Sequence, residues 1–229
     1  LTSIRAFSEM LHDDPDMSAD DRTKFLGIIV GEAERLTRLI NQILDFAKLE
    51  SGRVEWEVER LDLRPLLSAT AESIGQLFRD KGTVFVLELP EDQQPVWVEI
   101  DRDRLKQVVI NLLSNAVKFV PPVAGLIRMT LTHDAGYAQV AVKDNGPGIP
   151  EAYQSIIFER FRQGGNTMTD KPQGAGLGLP ISREIVEHFG GKLWAESVPQ
   201  AGAENSGEFA AGSTFIFTLP LARDGDVAL

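Results

Sequence analysis

Asp103-Arg-Leu-Lys-Gln-Val-Val-Ile-Asn111-Leu-Leu-Ser-Asn115-Ala-Val-Lys118-Phe119 is the stretch on which the fold turns. Leu105, Val108, Val109, Leu112, Leu113, Ala116 and Val117 recur with the period of an amphipathic helix. The helix is expected to stop before Pro121-Pro122, because proline cannot continue it. Beside the apolar arc, Asn111, Asn115 and Lys118 share one edge of the helix, next to the core. Asparagine competes for backbone hydrogen bonds and is a poor helix-interior residue, so a pair one turn apart asks for a reason. A carboxamide oxygen is a hard neutral ligand suited to Mg2+. Lys118 offers a point charge to a phosphate. Taken alone, the same residues also fit a solvated helix edge.

Two glycine-bearing stretches follow. Asp144-Asn145-Gly146-Pro147-Gly148-Ile149-Pro150 comes directly after a strand pattern. A carboxylate fixed at a strand end can accept the exocyclic amine of adenine, and glycines let the backbone approach a flat base. Gly174-Ala175-Gly176-Leu177-Gly178-Leu179 precedes Pro180, which is expected at the first position of a helix, where no donor is needed. Glycines ahead of a helix expose N–H groups to a phosphate chain, with Leu177 and Leu179 as anchors. The stretch is neither a Walker A pattern nor a dinucleotide fingerprint, since the Lys-Ser/Thr pair and the preceding strand are missing. Between the two lies Phe158-Glu159-Arg160-Phe161-Arg162-Gln163. Its aromatics read as core, and Arg160, Arg162 and Lys171 are the local cations able to face a triphosphate. Singly, a Gly/Pro turn and a flexible linker account for the two glycine stretches.

Outward from these motifs, the chain from Gly52 mixes strands and helices. Strands are expected over Arg53–Leu61, Val84–Leu89, Val96–Ile100, Leu126–His133, Tyr137–Asp144, Lys192–Val198 and Ser213–Leu219. Helices are expected over Leu63–Asp80 and Pro180–Phe189. The pattern indicates an α/β sandwich, one sheet covered by helices. Ahead of Gly52 everything is helical: a short stretch Leu1–Leu11, a polar loop, then a long stretch Arg22–Glu50. In the long stretch Ile29, Leu36 and Ile43 fall at heptad position a, Phe25, Leu39 and Phe46 at d, and Ala33, Ile40 and Ala47 at e. That stripe suits a helical bundle, with Glu32 as its one break. A helix roughly 40 Å long with only a stub beside it cannot bury its stripe alone, so a homodimer through it is expected. Gly27 and Gly31 sit on its outer face. The class is thus α+β: a partial helical dimerisation hairpin over 1–51, an α/β sandwich over 52–222 and a tail over 223–229.

Composition sets bounds on this picture. The chain has 229 residues, 43% hydrophobic and 25% charged, with net charge -11. An acidic surface argues against nucleic acid and an anionic membrane face as partners. There is no cysteine, hence no disulfide, thiolate metal site or cysteine nucleophile. No run is long and apolar enough to span a membrane, so contact with one is expected only through a region outside this sequence. Cytoplasmic localisation is expected, in a parent that the inner membrane can anchor.

In this order the motifs resemble the N, G1, F and G2 boxes of sensor histidine kinases, within the superfamily shared with gyrase-type ATPases. Phe46-Ala47-Lys48-Leu49-Glu50 also resembles the end of their second dimerisation helix. The resemblance implies an ATP-binding catalytic domain of the histidine kinase/gyrase type. It implies ATP and Mg2+, with Asn115 as metal ligand and Asn111 assisting. Lys118 would contact phosphate, and Phe119 would line the adenine side. Asp144 would take the adenine amine, in a pocket shaped by Gly146, Gly148 and Ile149. Residues 150–173, with Arg162, would form a lid over the triphosphate, cradled by Gly174, Gly176, Leu177, Gly178 and Leu179. Hydrolysing relatives carry Glu where this chain has Asn111, and an amide cannot serve as a general base.

The implied function is an autophosphorylating protein-histidine kinase of a two-component system, passing phosphate to an Asp of a response regulator. Leu1-Thr2-Ser3-Ile4 resembles the tail of the H box, and the phosphoacceptor His is expected just before it. No catalytic His is expected within the chain: His12, His133 and His188 read as surface or turn residues. The sequence as given is expected to bind ATP without autophosphorylating. The alternative is a non-catalytic ATP-binding regulatory module. Pro199–Gly212 departs from the family's tight turn and reads as a flexible loop.

Overall fold

The computed structural model describes residues 2–52, 54–91, 94–134, 136–160, 176–199 and 211–222. The chain divides into two compact units, one of residues up to Val54 joined by Gly176 and Leu177, the other of the remaining described residues. The first holds α1 (Thr2–Asp13) and α2 (Ala19–Glu50). α2 starts three residues before the periodic stretch, because Ser18 caps it: the side chain accepts from Asp21 N at 3.1 Å. Asp20 and Asp21 in the first turn and Lys48 in the last complement the helix dipole. α1 packs on α2 near its start, where the Phe7 and Phe25 rings lie 5.1 Å apart. Leu26, Val30, Ile40, Ile43 and Leu44 are each about half exposed, so the apolar surface of α2 is broader than its a/d/e stripe.

The second unit runs β1 (Val58–Asp62), α3 (Leu63–Ser73), α4 (Gly75–Lys81), β2 (Val84–Glu88), β3 (Trp97–Asp101), α5 (Arg102–Phe119), β4 (Leu126–His133), β5 (Tyr137–Asp144), α6 (Glu151–Gln154), α7 (Gly178–His188), β6 (Lys192–Val198) and β7 (Gly212–Pro220). The strands form two sheets rather than the single sheet expected: β1-β3, and β2-β4-β5-β7-β6. β2 pairs parallel with β4, and β3 pairs antiparallel with β1. β2 and β3, consecutive strands in the chain, therefore belong to different sheets. α5 packs on β5 and on α3 and α7, while α7 reaches β6 and β7. The core is the fully buried row Leu105, Val108, Val109, Leu112 and Leu113 of α5 against Ile127, Met129, Val142 and Phe217 of the large sheet.

Other departures from expectation have local causes. The first strand is only five residues long, because Trp56 leaves it and stacks on His188 at 4.0 Å, edge-on to Phe189. His188 thus takes part in an aromatic cluster. The helix expected over Leu63–Asp80 breaks at Ile74, whose N–H turns back to Ala71 O and Glu72 O before Gly75 opens α4. Pro180 is the third residue of α7 rather than the first; a missing N–H is tolerated throughout a first turn.

Glycine sites give tests of opposite sign. A Cβ at Gly191 would lie 1.9 Å from Thr218 O, whereas one at Gly27 or Gly31 meets nothing within 4 Å. Gly191→Ala is expected to lower the denaturation midpoint by about 1–3 kcal/mol of stability. Gly27→Ala and Gly31→Ala on α2 are expected to gain up to about 1 kcal/mol each. Urea unfolding followed by circular dichroism reads both.

Candidate functional site

The second unit holds α5 at both ends. Asp101 caps its start, with Oδ1 accepting from Asp103 N and Arg104 N at 3.0 and 3.1 Å and Oδ2 from Glu57 N at 3.1 Å. At the far end Lys81 Nζ donates to Lys118 O at 2.9 Å and to Val117 O. Burial pulls the Lys81 ammonium below the usual lysine range. These two clamps fix the edge that carries Asn111, Asn115, Lys118 and Phe119.

Asn111 Nδ2 donates to Gly178 O at 3.3 Å and to Ser182 Oγ at 3.2 Å. A carbonyl only accepts, so the amide nitrogen must face Gly178 and Oδ1 must face the other way. The half-buried Asn115 amide makes no hydrogen bond among the described residues. A neutral oxygen in that position fits a hard cation. Lys118 Nζ lies 4.8 Å from the Phe119 ring, and burial lowers its pKa. Phe119 is about half exposed.

Asp144 ends β5 with 3% of its surface exposed. Its Oδ1 accepts from Gly146 N at 2.8 Å and Ser213 N at 3.3 Å. Oδ2 has no hydrogen-bond partner among the described residues. Burial pushes this carboxyl up to about 6, and the two N–H donors partly offset the rise. A Cβ at Gly146 would lie 2.7 Å from Asp144 Oδ1 and 3.0 Å from Phe119 O. Glycine is therefore what lets the end of α5 and the end of β5 meet. Gly148 has φ +75, and a Cβ there would strike Val198 O at 2.3 Å. Ile149 N donates to Ser197 Oγ at 2.7 Å. Asn145 faces away from this cleft, bonding Leu126 N and Ala124 O at 2.8 Å each and so holding the loop after α5.

The geometry thus brings together Asn111, Phe119, Asp144, Gly146 and Gly178, with Asn115 and Lys118 on the same helix edge and Gly148 and Ile149 on the adjoining turn. Leu179 lies in the first turn of α7. Gly176, with φ +66, and the buried Leu177 group with the helical unit. Arg162, Lys171 and Gly174 lie outside the described residues, as do most of the expected lid, the loop 200–210 and the tail. Phe158 is buried, as expected of core, and takes the Arg183 guanidinium 3.8 Å from its ring centre. Sequence reasoning passed over Ser182, Ser197, Gly212 and Ser213. The Gly212-Ser213 pair opening the last strand was the available signal: a Cβ at Gly212 would lie 2.0 Å from Asp144 O.

Fold and site define an α+β protein: an α/β sandwich in which one helix edge meets the end of a central strand, with a helical hairpin ahead of it in the chain. The chain belongs to the family described as histidine kinase-, DNA gyrase B-, and HSP90-like ATPase, whose profile matches residues 100–223; residues 1–52 match the His Kinase A (phospho-acceptor) domain. It is 30% identical over 226 residues to sensor histidine kinase WalK of Bacillus subtilis (strain 168), covering 98% of this chain and 35% of that protein. The chain therefore spans little more than a third of that relative. Full-length ShkA in complex with AMPPNP superposes with a TM-score of 0.72 at 26% identity, covering 90% of this chain and 40% of that one. Histidine kinase ThkA in complex with response regulator TrrA gives a TM-score of 0.69 at 26% identity, covering 96% and 58%. Among the described residues no helix is long and apolar enough to cross a membrane.

The raised Asp144 pKa makes stability depend on pH. Between its unfolded value near 4 and about 6, the folded carboxyl keeps a proton that the unfolded one has released. Its contribution to stability therefore falls as pH rises through that window. Asp144→Asn is expected to flatten this slope and to relieve a cost on the order of 2–3 kcal/mol at neutral pH. Thermal melts of both proteins from acid to neutral pH, without nucleotide, check it.

Proposed function

We propose that this chain is the ATP-binding catalytic domain and part of the phospho-acceptor domain of an autophosphorylating protein-histidine kinase in a two-component system. The observation that carries this is Asp144: a buried carboxyl at a strand end with one oxygen satisfied and the other unpartnered, walled by a glycine turn. Such an oxygen suits the exocyclic amine of adenine, a donor that neutralises no charge but completes the hydrogen bonding. The helical domain takes in residues 1–51 and the catalytic domain 52–222.

The bound substrate runs from base to phosphates along the edge of α5. Phe119, Gly146, Gly148 and Ile149 flank the base. Lys118 meets the phosphates, which lie toward the first turn of α7, where Gly178 and Leu179 stand. Asn115, assisted by Asn111, would hold Mg2+, which when bound neutralises phosphate charge. The chain's own residues orient the nucleotide and keep a general base away from the γ-phosphorus: Asn111 is an amide with Nδ2 committed to Gly178 and Ser182. An attacking histidine nitrogen forms the new P–N bond, the bond to the β-phosphate oxygen breaks, and ADP leaves; positioning and charge neutralisation supply the catalysis. The phosphohistidine then passes its phosphoryl group to an Asp of a response regulator. The exposed stripe of α2 serves a homodimer bundle, and the reaction belongs to the cytoplasm, where ATP is.

Calorimetry tests the base end. Asp144→Asn is expected to weaken AMP-PNP and ADP alike, by about 10- to 100-fold, the range for a hydrogen bond to a charged acceptor. Wild-type affinity is expected to fall as pH drops below about 6, where the carboxyl protonates. In the full-length protein, labelled ATP is expected to leave acid-labile phosphate on a histidine. Labelling of serine or threonine only would overturn the kinase reading.

A further inference from the structure

The Ser197 hydroxyl on β6 sits at a junction that the roles above do not use. Its Oγ accepts from Ile149 N at 2.7 Å and lies 2.8 Å from Gly212 O and 3.0 Å from Ser213 Oγ. Counting protons fixes the direction of every bond. The Gly212 carbonyl only accepts, so the single proton of Ser197 goes there. Ile149 N–H takes one lone pair of Ser197. The contact with Ser213 must use the other, with Ser213 as donor. The proton of Ser213 is thereby committed, and its oxygen has only lone pairs left to offer. Ser213 adjoins Asp144, because its own N–H donates to Asp144 Oδ1. Asp144 Oδ2 and Ser213 Oγ together make one end of the cleft acceptor-only.

We propose that Ser197 is a positioning residue that sets base specificity: by committing the proton of Ser213 and pinning Ile149 and Gly212, it keeps the floor of the base pocket free of donors. Adenine presents an amine there, which donates. Guanine presents a carbonyl oxygen, which meets only lone pairs and leaves them unmatched. Gln154 braces the same junction, donating from Nε2 to Ile149 O at 2.9 Å and to Ser197 O at 3.3 Å. The proposal rests on the adenine reading of Asp144.

The test is the ratio of dissociation constants for AMP-PNP and GMP-PNP, measured by calorimetry on the whole chain. Ser197→Ala releases the Ser213 hydroxyl to rotate and donate. It is expected to weaken AMP-PNP about 3- to 10-fold, the range of one hydrogen bond, and to leave GMP-PNP unweakened, so that the preference narrows. Ser197→Thr keeps the oxygen and is expected to keep the wild-type ratio. An equal loss for both nucleotides in Ser197→Ala, or a threonine variant that behaves as the alanine one does, overturns the proposal. Should Ser197→Ala fail to fold, Ser213→Ala removes the committed acceptor and is expected to narrow the preference in the same way; an unchanged ratio there overturns it as well. Asp144→Asn separates this proposal from the adenine reading. If that variant binds AMP-PNP as wild type does, the adenine reading falls with the proposal. If it loses the preference while Ser197→Ala keeps the ratio, only the proposal falls.

Discussion

A carboxyl group buried with half of its hydrogen bonding unmet is the constraint around which the sandwich is arranged. Removing a carboxylate from water is costly unless donors replace the lost solvent. At Asp144 the replacement is partial: two backbone N–H groups reach Oδ1, and none of the described residues reaches Oδ2. Each donor makes a demand on the fold. Gly146 N can reach back only if the chain turns sharply after β5, and the space there excludes any Cβ. Ser213 N can reach only if β7 lies beside β5, which fixes the middle of the sheet order. Gly212 must then pass so close to Asp144 O that it too can carry no side chain. The sheet centre and the glycine pattern thus follow from burying one acid at the end of β5.

Where the information was local, the sequence was legible. The period of α5 is written in consecutive turns, and its apolar row is the buried row of the core. Asp144 and Gly146 could be singled out because a carboxylate and glycines after a strand are adjacent in the chain. Strand partners were not legible. Nothing within Val84–Glu88 says that it pairs parallel with β4 across the whole of α5 rather than with its nearer neighbour. Ser197 and Ser213 were missed for the same reason. They face each other only once β6 and β7 pair, and until then each is an ordinary strand serine. Trp56 left its expected strand, and its ring instead stacks on His188 and meets Phe189 edge-on at the end of α7.

The fixing of α5 at both ends explains how a helix edge can serve as a measured surface. Helix ends fray where their polar groups find no partner. Here Asp101 satisfies the opening N–H groups, and Lys81, from another helix, satisfies the closing carbonyls. The side chains between them inherit the precision of a rigid element, which suits positioning better than a loop does.

That rigidity also decides what can stand at residue 111. An amide there cannot take a proton from water. Its surroundings add a second reason. Nδ2 donates to the carbonyl of Gly178, in the first turn of α7, and to the hydroxyl of Ser182 one turn further on. A carboxylate in the same place would set its oxygen against the Gly178 carbonyl, acceptor against acceptor, inside a partly desolvated contact between α5 and α7. Such a group would have to be protonated or pushed out, and the joint between the two helices would open. The donor that joins α7 to α5 and the absence of a carboxylate at residue 111 are therefore one property of one side chain. A carboxylate at residue 111 therefore calls for a different first turn of α7 as well.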